Sequence, residues 1–488
     1  MAQTTTSILR PVLILCAAAL GCGAESTPIF SDQTTALGLN IGTDAACWVD
    51  LDNDGWTDLV ASGAVWHNNS GRSFTKIGEM GTVVAADYDN DGFVDLFSWT
   101  QLKLFHNEGG HGFREVPLPA LPTLSRGACW GDWNNDGFVD LYIGGYEDWN
   151  KDLTYPGFVL LNQGGRSFVA TYVDATHRSR GVAACDFMRT GHASVYVSNY
   201  RLQPNRLLIG DGTGSLRDRA TDFNAEATSP GFEGGHSIGA CWGDFDNDGW
   251  MDLLAGNFAH RDKRGDQPKS RFLRNMGPTG GCHFEDMGTC GIYYQESYAT
   301  PAAGDYDNDG RLDFVLTTVY GTASFGVSNY PVLFHNEGGF LFSDTTSAAG
   351  LAKLPPTYQA AWADYNHDGR LDLACGGRIF ANQGPAAHWL EVRLKGDATQ
   401  VNRSAIGAQV RVKVNGQTLT RQVEAGTGEG NQNDLTLHFG LGGCNGPLTL
   451  EVLWPGGRIQ SFPKIGADRI IEIRSNSKKA VTLHPQSH

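Results

Sequence analysis

The chain has 488 residues, among them 63 glycines and 12 tryptophans, and a formal charge of −16. That length exceeds one ordinary hydrophobic core and suits a large turn-rich β-structure followed by a smaller module. The acidic balance offers no basic stripe to nucleic acid, and it is local: 22 of the 53 acidic residues sit in one recurring phrase, leaving 31 against 37 Lys and Arg.

Residues 1–22 carry Arg10 and an apolar run from Val12 to Leu20, too short for a membrane span and suited to a secretory signal. Ala19-Leu20-Gly21-Cys22 is similar to a bacterial lipoprotein box, in which Cys22 would be lipidated and anchor the chain to a membrane; simple cleavage near Cys22–Ala24 is the alternative. Either way the chain is expected to be exported, secreted or held at the cell envelope.

The first copy of the phrase is Asp50-Leu-Asp52-Asn-Asp54-Gly55-Trp56-Thr-Asp58. Oxygens at positions 1, 3, 5 and 9 and the backbone carbonyl at position 7 can wrap one hard cation, with glycine at position 6 allowing the bend. The later copies place the same atoms at Asp87, Asp89, Asp91, Phe93 and Asp95; at Asp132, Asn134, Asp136, Phe138 and Asp140; and at Asp244, Asp246, Asp248, Trp250 and Asp252. Two more follow at Asp305, Asp307, Asp309, Arg311 and Asp313, and at Asp364, Asn366, Asp368, Arg370 and Asp372. Six calcium ions are therefore expected, bringing −16 to about −4. An EF-hand is excluded, because its bidentate Glu at position 12 is Ala61, Ser98 and Ile143 in the first three loops, and strand-like residues follow each closing Asp.

A degraded copy, Asp186-Phe-Met188-Arg-Thr190-Gly191, retains the first Asp and the Gly but few other ligands, so it predicts a unit that folds without metal. First-Asp spacings of 37, 45, 54, 58, 61 and 59 residues fit four short strands per unit, hence a seven-bladed β-propeller in an all-β chain. Phe30-Ser-Asp32 through Gly38-Leu39 matches Phe342-Ser-Asp344 through Gly350-Leu351 but has no unit before it. It is expected to supply the outer strand of the last blade.

These residues resemble the FG-GAP/VCBS calcium-binding propeller repeats found in integrin α-subunit heads, over about 29–386. From Trp389 strands alternate at Leu390-Val392-Leu394, Val410-Val412-Val414, Leu435-Leu437-Phe439 and Leu448-Leu450-Val452. With Asn402-Arg403 to Gly407-Ala408, His438 to Gly442 and Trp454-Pro-Gly-Gly457, they are similar to the ASPIC/UnbV module of cartilage-acidic-protein-like proteins. This assigns 387–476 to a separate sandwich-like β-domain and 477–488 to a flexible tail; the Glu429-Gly-Asn431-Gln432-Asn433 segment departs from the family's pattern.

Strand parity sends the long connections of blades 3 to 6 to the end opposite the loops. They carry Tyr146, Trp149, Tyr200, Arg201, His260, Arg261 and Tyr320, aromatic and cationic residues suited to an extracellular protein or glycan. The expected function is adhesion or recognition without catalytic residues; the alternative is an extracellular polysaccharide lyase or dehydratase on that same face, with His236 and His260 the histidines to test. Cys282 and Cys290 are the candidate disulfide, and Cys47, Cys129 and Cys241 read as small buried side chains.

Overall fold

The computed structural model describes residues 28–173, 175–262, 265–352 and 354–483. The expected signal 1–22, with Cys22, lies outside them. Seven four-stranded antiparallel sheets have their innermost strands at Ala46–Val49, Val83–Ala86, Ala128–Gly131, Ser179–Cys185, His236–Gly243, Tyr298–Gly304 and Ala360–Ala363. Numbered as blades 1 to 7, each packs its inner strand on the next, and the seventh meets the first. The ring closes as the Phe30 match suggested: Phe30–Asp32 pairs with Arg378–Asn382, Phe30 opposite Asn382.

Two repeated devices bind blade to blade. Two residues before the first Asp the inner strands alternate Trp48, Ala85, Trp130, Ala184, Trp242, Ala303 and Trp362. Each tryptophan donates its indole N–H to the preceding blade, at Ala361, Val84, Ala183 and Ala302 O, 3.1–3.3 Å away. Every Trp enters beside an Ala blade except at the odd junction of blades 7 and 1. The second device is the Asn-turn. Asn68, Asn107, Asn162, Asn275, Asn336 and Asn382 each donate Nδ2 to their own blade and to a loop carbonyl of a neighbouring blade, for example Asn107 to Val94 and Leu51.

The C-terminal module is two four-stranded sheets. One orders Leu437–Gly442, His388–Lys395, Ile470–Arg474 and Ala480–Leu483; the other orders Gln417–Gln422, Gln409–Val414, Leu448–Leu453 and Ile459–Ile465. Two expectations are corrected here. The stretch 477–488 is not a free tail as far as Leu483, because Ala480–Leu483 finds an open edge and pairs with Ile470–Ile473. Nor is the module separate: its Leu390, Val410 and Trp454 share one apolar cluster with Trp99 and Trp130 of blades 2 and 3.

The contact extends down the propeller axis. Residues 423–434 form a hairpin, closed by Thr427 and Asn431, that enters the central channel and meets the free edges of the inner strands. Trp130 N–H donates to Ala425 O (2.9 Å), Val182 N–H to Gly428 O (3.0 Å) and Trp48 N–H to Gln432 O (3.1 Å). Amide side chains complete the fit: Asn431 Oδ1 accepts from Ala46 N–H, Gln432 Oε1 from Ala85 N–H and Asn433 Oδ1 from Trp362 N–H. An open inner edge inside a dry channel would leave backbone groups unpaired, which gives the Asn-Gln-Asn run its work. Gly428 is required here, since a Cβ would stand 2.2 Å from Thr300 Cγ2.

The expected Cys282–Cys290 bond is absent. Cys282 is buried beside Phe187 and Phe284, whereas the Cys290 thiol donates to Met287 O at 3.3 Å in the next cluster. Cys47, Cys129 and Cys241 are buried as read.

Candidate functional site

The loop face is built the same way six times. In loop 1, Gly55 N–H donates to Asp50 Oδ2 (3.1 Å), Asp54 N–H to Asp52 Oδ1 (3.2 Å) and Trp56 N–H to Asp54 Oδ1 (2.8 Å), which folds the phrase onto itself. Asp58 ties the loop to its blade by accepting from Leu51 and Asn68 N–H at 2.9 and 2.7 Å. Glycine at position 6 is required by φ values between 80° and 105° in the six acidic loops. Oxygens of Asp50, Asp52 and Asp58, and likewise of Asp87, Asp89 and Asp91, lie within 4.8 Å of one another.

Burial pushes these carboxyls up, and their neighbours' like charge adds to it: Asp50, Asp87, Asp132 and Asp364 to about 7, Asp140 and Asp244 to about 8, Asp95 to about 9. Asp50 Oδ1, Asp305 Oδ1 and Asp372 Oδ2 are buried without a hydrogen-bond partner. Clustered carboxylates with unused lone pairs fit a hard divalent cation. Asp50, Asp52, Asp54 and Asp58 and their counterparts would hold it, and the ion would supply the charge that allows four acids to share one turn.

Sequence reading overlooked the basic side chains beside these clusters. His67, His106 and His335 occupy the residue before the Asn-turn, each with Nδ1 3.1–3.2 Å from the closing Asp58, Asp95 or Asp313. Arg274 pairs with Asp246 at 2.7 Å in loop 5, and Arg370 with Asp368 at 2.5 Å in loop 7. The His-Asn pairs at 67, 106 and 335 were the available signal. At position 7, the side chains of Arg311 and Arg370 donate to Asn336 O and Asn382 O, while Trp56 stacks on His367 at 4.2 Å.

The loops also touch one another. Position 4 holds a positive-φ residue whose side chain reaches the next blade: Asn53 to Gly92 O, Asn90 to Gly137 O, Asn247 to Gly310 O and Asn308 to Gly369 O, at 2.8–3.1 Å. In the degraded loop Asp186 accepts from Thr190 and Gly191 N–H, and Arg189 bridges to Glu451 of the module at 3.0 Å. The module covers this face. Arg393 donates to Asp50 Oδ2 and Gly55 O, Thr420 N–H to Asp244 Oδ2, and Gly440 N–H to Asp305 Oδ2.

The opposite face is open, and it gathers the residues expected there. The hairpin tip emerges among them: Glu429 accepts from Arg180 Nη2 at 2.7 and 2.9 Å, and the Arg180 guanidinium lies 5.3–5.5 Å from the rings of Tyr146, Tyr200 and Tyr358. Outward from this cage, Arg201 covers the Trp149 ring at 3.2 Å and pairs with Glu147 at 3.1 Å. On the other side Tyr200 meets His236 (4.7 Å), His236 meets His260 (5.6 Å), and Phe258 joins His260 to Tyr320 (4.4 and 5.8 Å). His260 Nδ1 is 2.5 Å from Glu296 Oε1, a carboxylate only 3% exposed. Arg261 opens a short hairpin with Gly265–Asp266 on the same connection. Arg180, Tyr358, Glu296 and Glu429 escaped the sequence reading because strands and hairpin converge on them from distant blades.

A propeller with one acidic face sealed by its own C-terminal module and one aromatic face left open defines the class, and comparison supports it. The FG-GAP-like repeat profile matches 87–143, 186–255 and 305–375, and the ASPIC and UnbV profile matches 398–480. The chain thus carries FG-GAP-like repeats and an ASPIC/UnbV domain. Among curated relatives are cartilage acidic protein 1 of Mus musculus and of Homo sapiens, each 25% identical over 293 residues, covering 58% of this chain and 42% of theirs. The chain therefore spans less than half the length of the relatives it matches. Among solved structures, BBS1N in complex with ARL6DN overlaps with TM-score 0.39 at 10% identity, covering 72% of this chain and 95% of that one. An exo-β-1,3-galactanase from Phanerochaete chrysosporium overlaps with TM-score 0.31 at 11% identity, covering 87% and 98%.

Proposed function

We propose that the chain is an exported, calcium-stabilised recognition module that binds an extracellular protein or a glycan through the open face of its propeller. The observation that carries this reading is the continuous array from Trp149 and Arg201 through Tyr200, His236 and His260 to Tyr320, with Trp149 66% and Tyr320 58% exposed. Large exposed aromatic side chains beside cations suit a recognition surface. Export rests on the apolar run before Cys22 and is supported by relatives named for cartilage. The calcium assignment rests on the six all-oxygen loops; among the described residues no helix is long and apolar enough to cross a membrane.

Glycan arrays and capture from extracellular extract, run with wild type and Trp149→Ala/Tyr320→Ala, test this. Saturable binding lost in the double variant is expected; binding that survives it would move the site elsewhere. One observation favours a second reading as a carbohydrate-active enzyme: buried Glu296 pairs with His260 Nδ1 beside His236, an orienting contact of the kind a general acid or base uses. Steady polysaccharide cleavage abolished by His260→Ala would replace recognition with catalysis.

A further inference from the structure

Between the loop face and the module lies a cavity of about 90 Å³, walled by blades 5 to 7 and by the sheet carrying Glu391 and His438. Five carboxyl groups face it, those of Asp305, Asp364, Glu391, Glu424 and Asp434, against one guanidinium, that of Arg421. Asp434 is occupied by Thr57 Oγ1 at 2.7 Å and by Thr436 N–H at 3.1 Å. Glu391 is different. It is 4% exposed and lines the cavity together with Asp364, the first aspartate of loop 7. Buried carboxyl groups that share one cavity wall are well placed to hold a cation between them.

A second observation points to the cation. His438 stands directly across the sheet from Glu391, so both side chains leave the same face toward loop 7. His438 Nε2 lies 3.2 Å from Gly369 O, the position-6 carbonyl of that loop. Its Nδ1 is buried with no hydrogen-bond partner, in a residue 6% exposed that lines the same cavity. Loop 7 is also short of charge, with Asn366 at position 3, so a carboxylate from outside restores what loops 1, 2, 5 and 6 hold internally.

We propose that Glu391 of the C-terminal module is a ligand for the cation of loop 7, so that this one ion is held jointly by propeller and module. This rests on the calcium reading of the loops. It makes loop 7 the site at which metal loading and module docking are one event, whereas Arg393, Thr420 and Gly440 meet loops 1, 5 and 6 with hydrogen-bond donors.

Calcium titration followed by calorimetry and by the calcium-induced rise in Tm tests the assignment in wild type, Glu391→Gln and Glu424→Gln. Gln at 391 removes one of the five carboxyl groups that face the cavity, so this variant is expected to fold without calcium at least as well as wild type. One of its calcium sites should lose affinity by about 10–100-fold, the range for losing a tuning group at a metal site. Glu424→Gln replaces another carboxyl group of the same cavity without touching Asp364, and should leave the calcium-induced rise unchanged. Identical titrations for wild type and Glu391→Gln would overturn the ligand assignment and leave the calcium reading standing, as would an equal loss in both variants. A wild type that does not respond to calcium would overturn both.

Discussion

Removing Glu429 should unseat the hairpin from the channel. The carboxylate is 2% and Arg180 6% exposed, and they are joined at 2.7 and 2.9 Å, with Arg126 3.8 Å behind. Stranding one charge of a buried pair costs about 3–5 kcal/mol. In Glu429→Ala the guanidinium keeps three tyrosine faces at 5.3–5.5 Å, each offsetting roughly 0.5–1 kcal/mol. The net loss should be about 2 kcal/mol. Replacing both partners in Arg180→Leu/Glu429→Leu removes the stranded charge and should cost less than either single change, because a buried pair exchanged for apolar groups is often neutral. Guanidinium denaturation midpoints of wild type, both single variants and the double variant, at fixed calcium, give the coupling energy. Additive single changes, or a loss below about 0.5 kcal/mol for Glu429→Ala, would show the pair behaving as an exposed salt bridge and would refute the seated hairpin.

Trp130→Ala, at a side chain with no exposure and an indole bond to Val84 O of 3.3 Å, should lose about 3–5 kcal/mol by calorimetry; a shift within error would sink the Trp/Ala interlock. Burial pushes the Glu424 carboxyl up to about 8, so the folded chain holds a proton that the unfolded chain releases near 4.5, and stability falls as pH rises between those values. Glu424→Gln should therefore be more stable than wild type at pH 8, by on the order of 4 kcal/mol, with no gap below pH 4.5; equal pH profiles would contradict the burial. Alkylation of the denatured, unreduced protein should label both Cys282 and Cys290, and protection of the two together would restore the disulfide.

The aspartate phrase was legible because it is local: nine consecutive residues supply the ligands, the bend and the strand that follows. Ring closure by Phe30–Asp32 was legible for the same reason, as its turn copies that of Phe342–Leu351. The aromatic connections were placed on one face by strand parity alone. What stayed hidden is long-range. Asn431, Gln432 and Asn433 look like an exposed polar run, and only the unpaired inner edges of Ala46–Val49, Val83–Ala86 and Ala360–Ala363 explain them. Glu391 sits in an alternating strand and reads as a solvated position until loop 7 is brought beneath it. The histidines at 67, 106 and 335 were missed because they lie a full strand beyond the loops they touch.

The central claim is that the aspartate loops are structural cation sites on a face sealed by the module. Native mass spectrometry of the calcium-loaded chain, paired with its melting curve, tests it most directly. Six bound calcium ions, lost with EDTA together with a large fall in Tm, are the predicted result. An unchanged melt with EDTA, or a chain that carries no calcium, would contradict it.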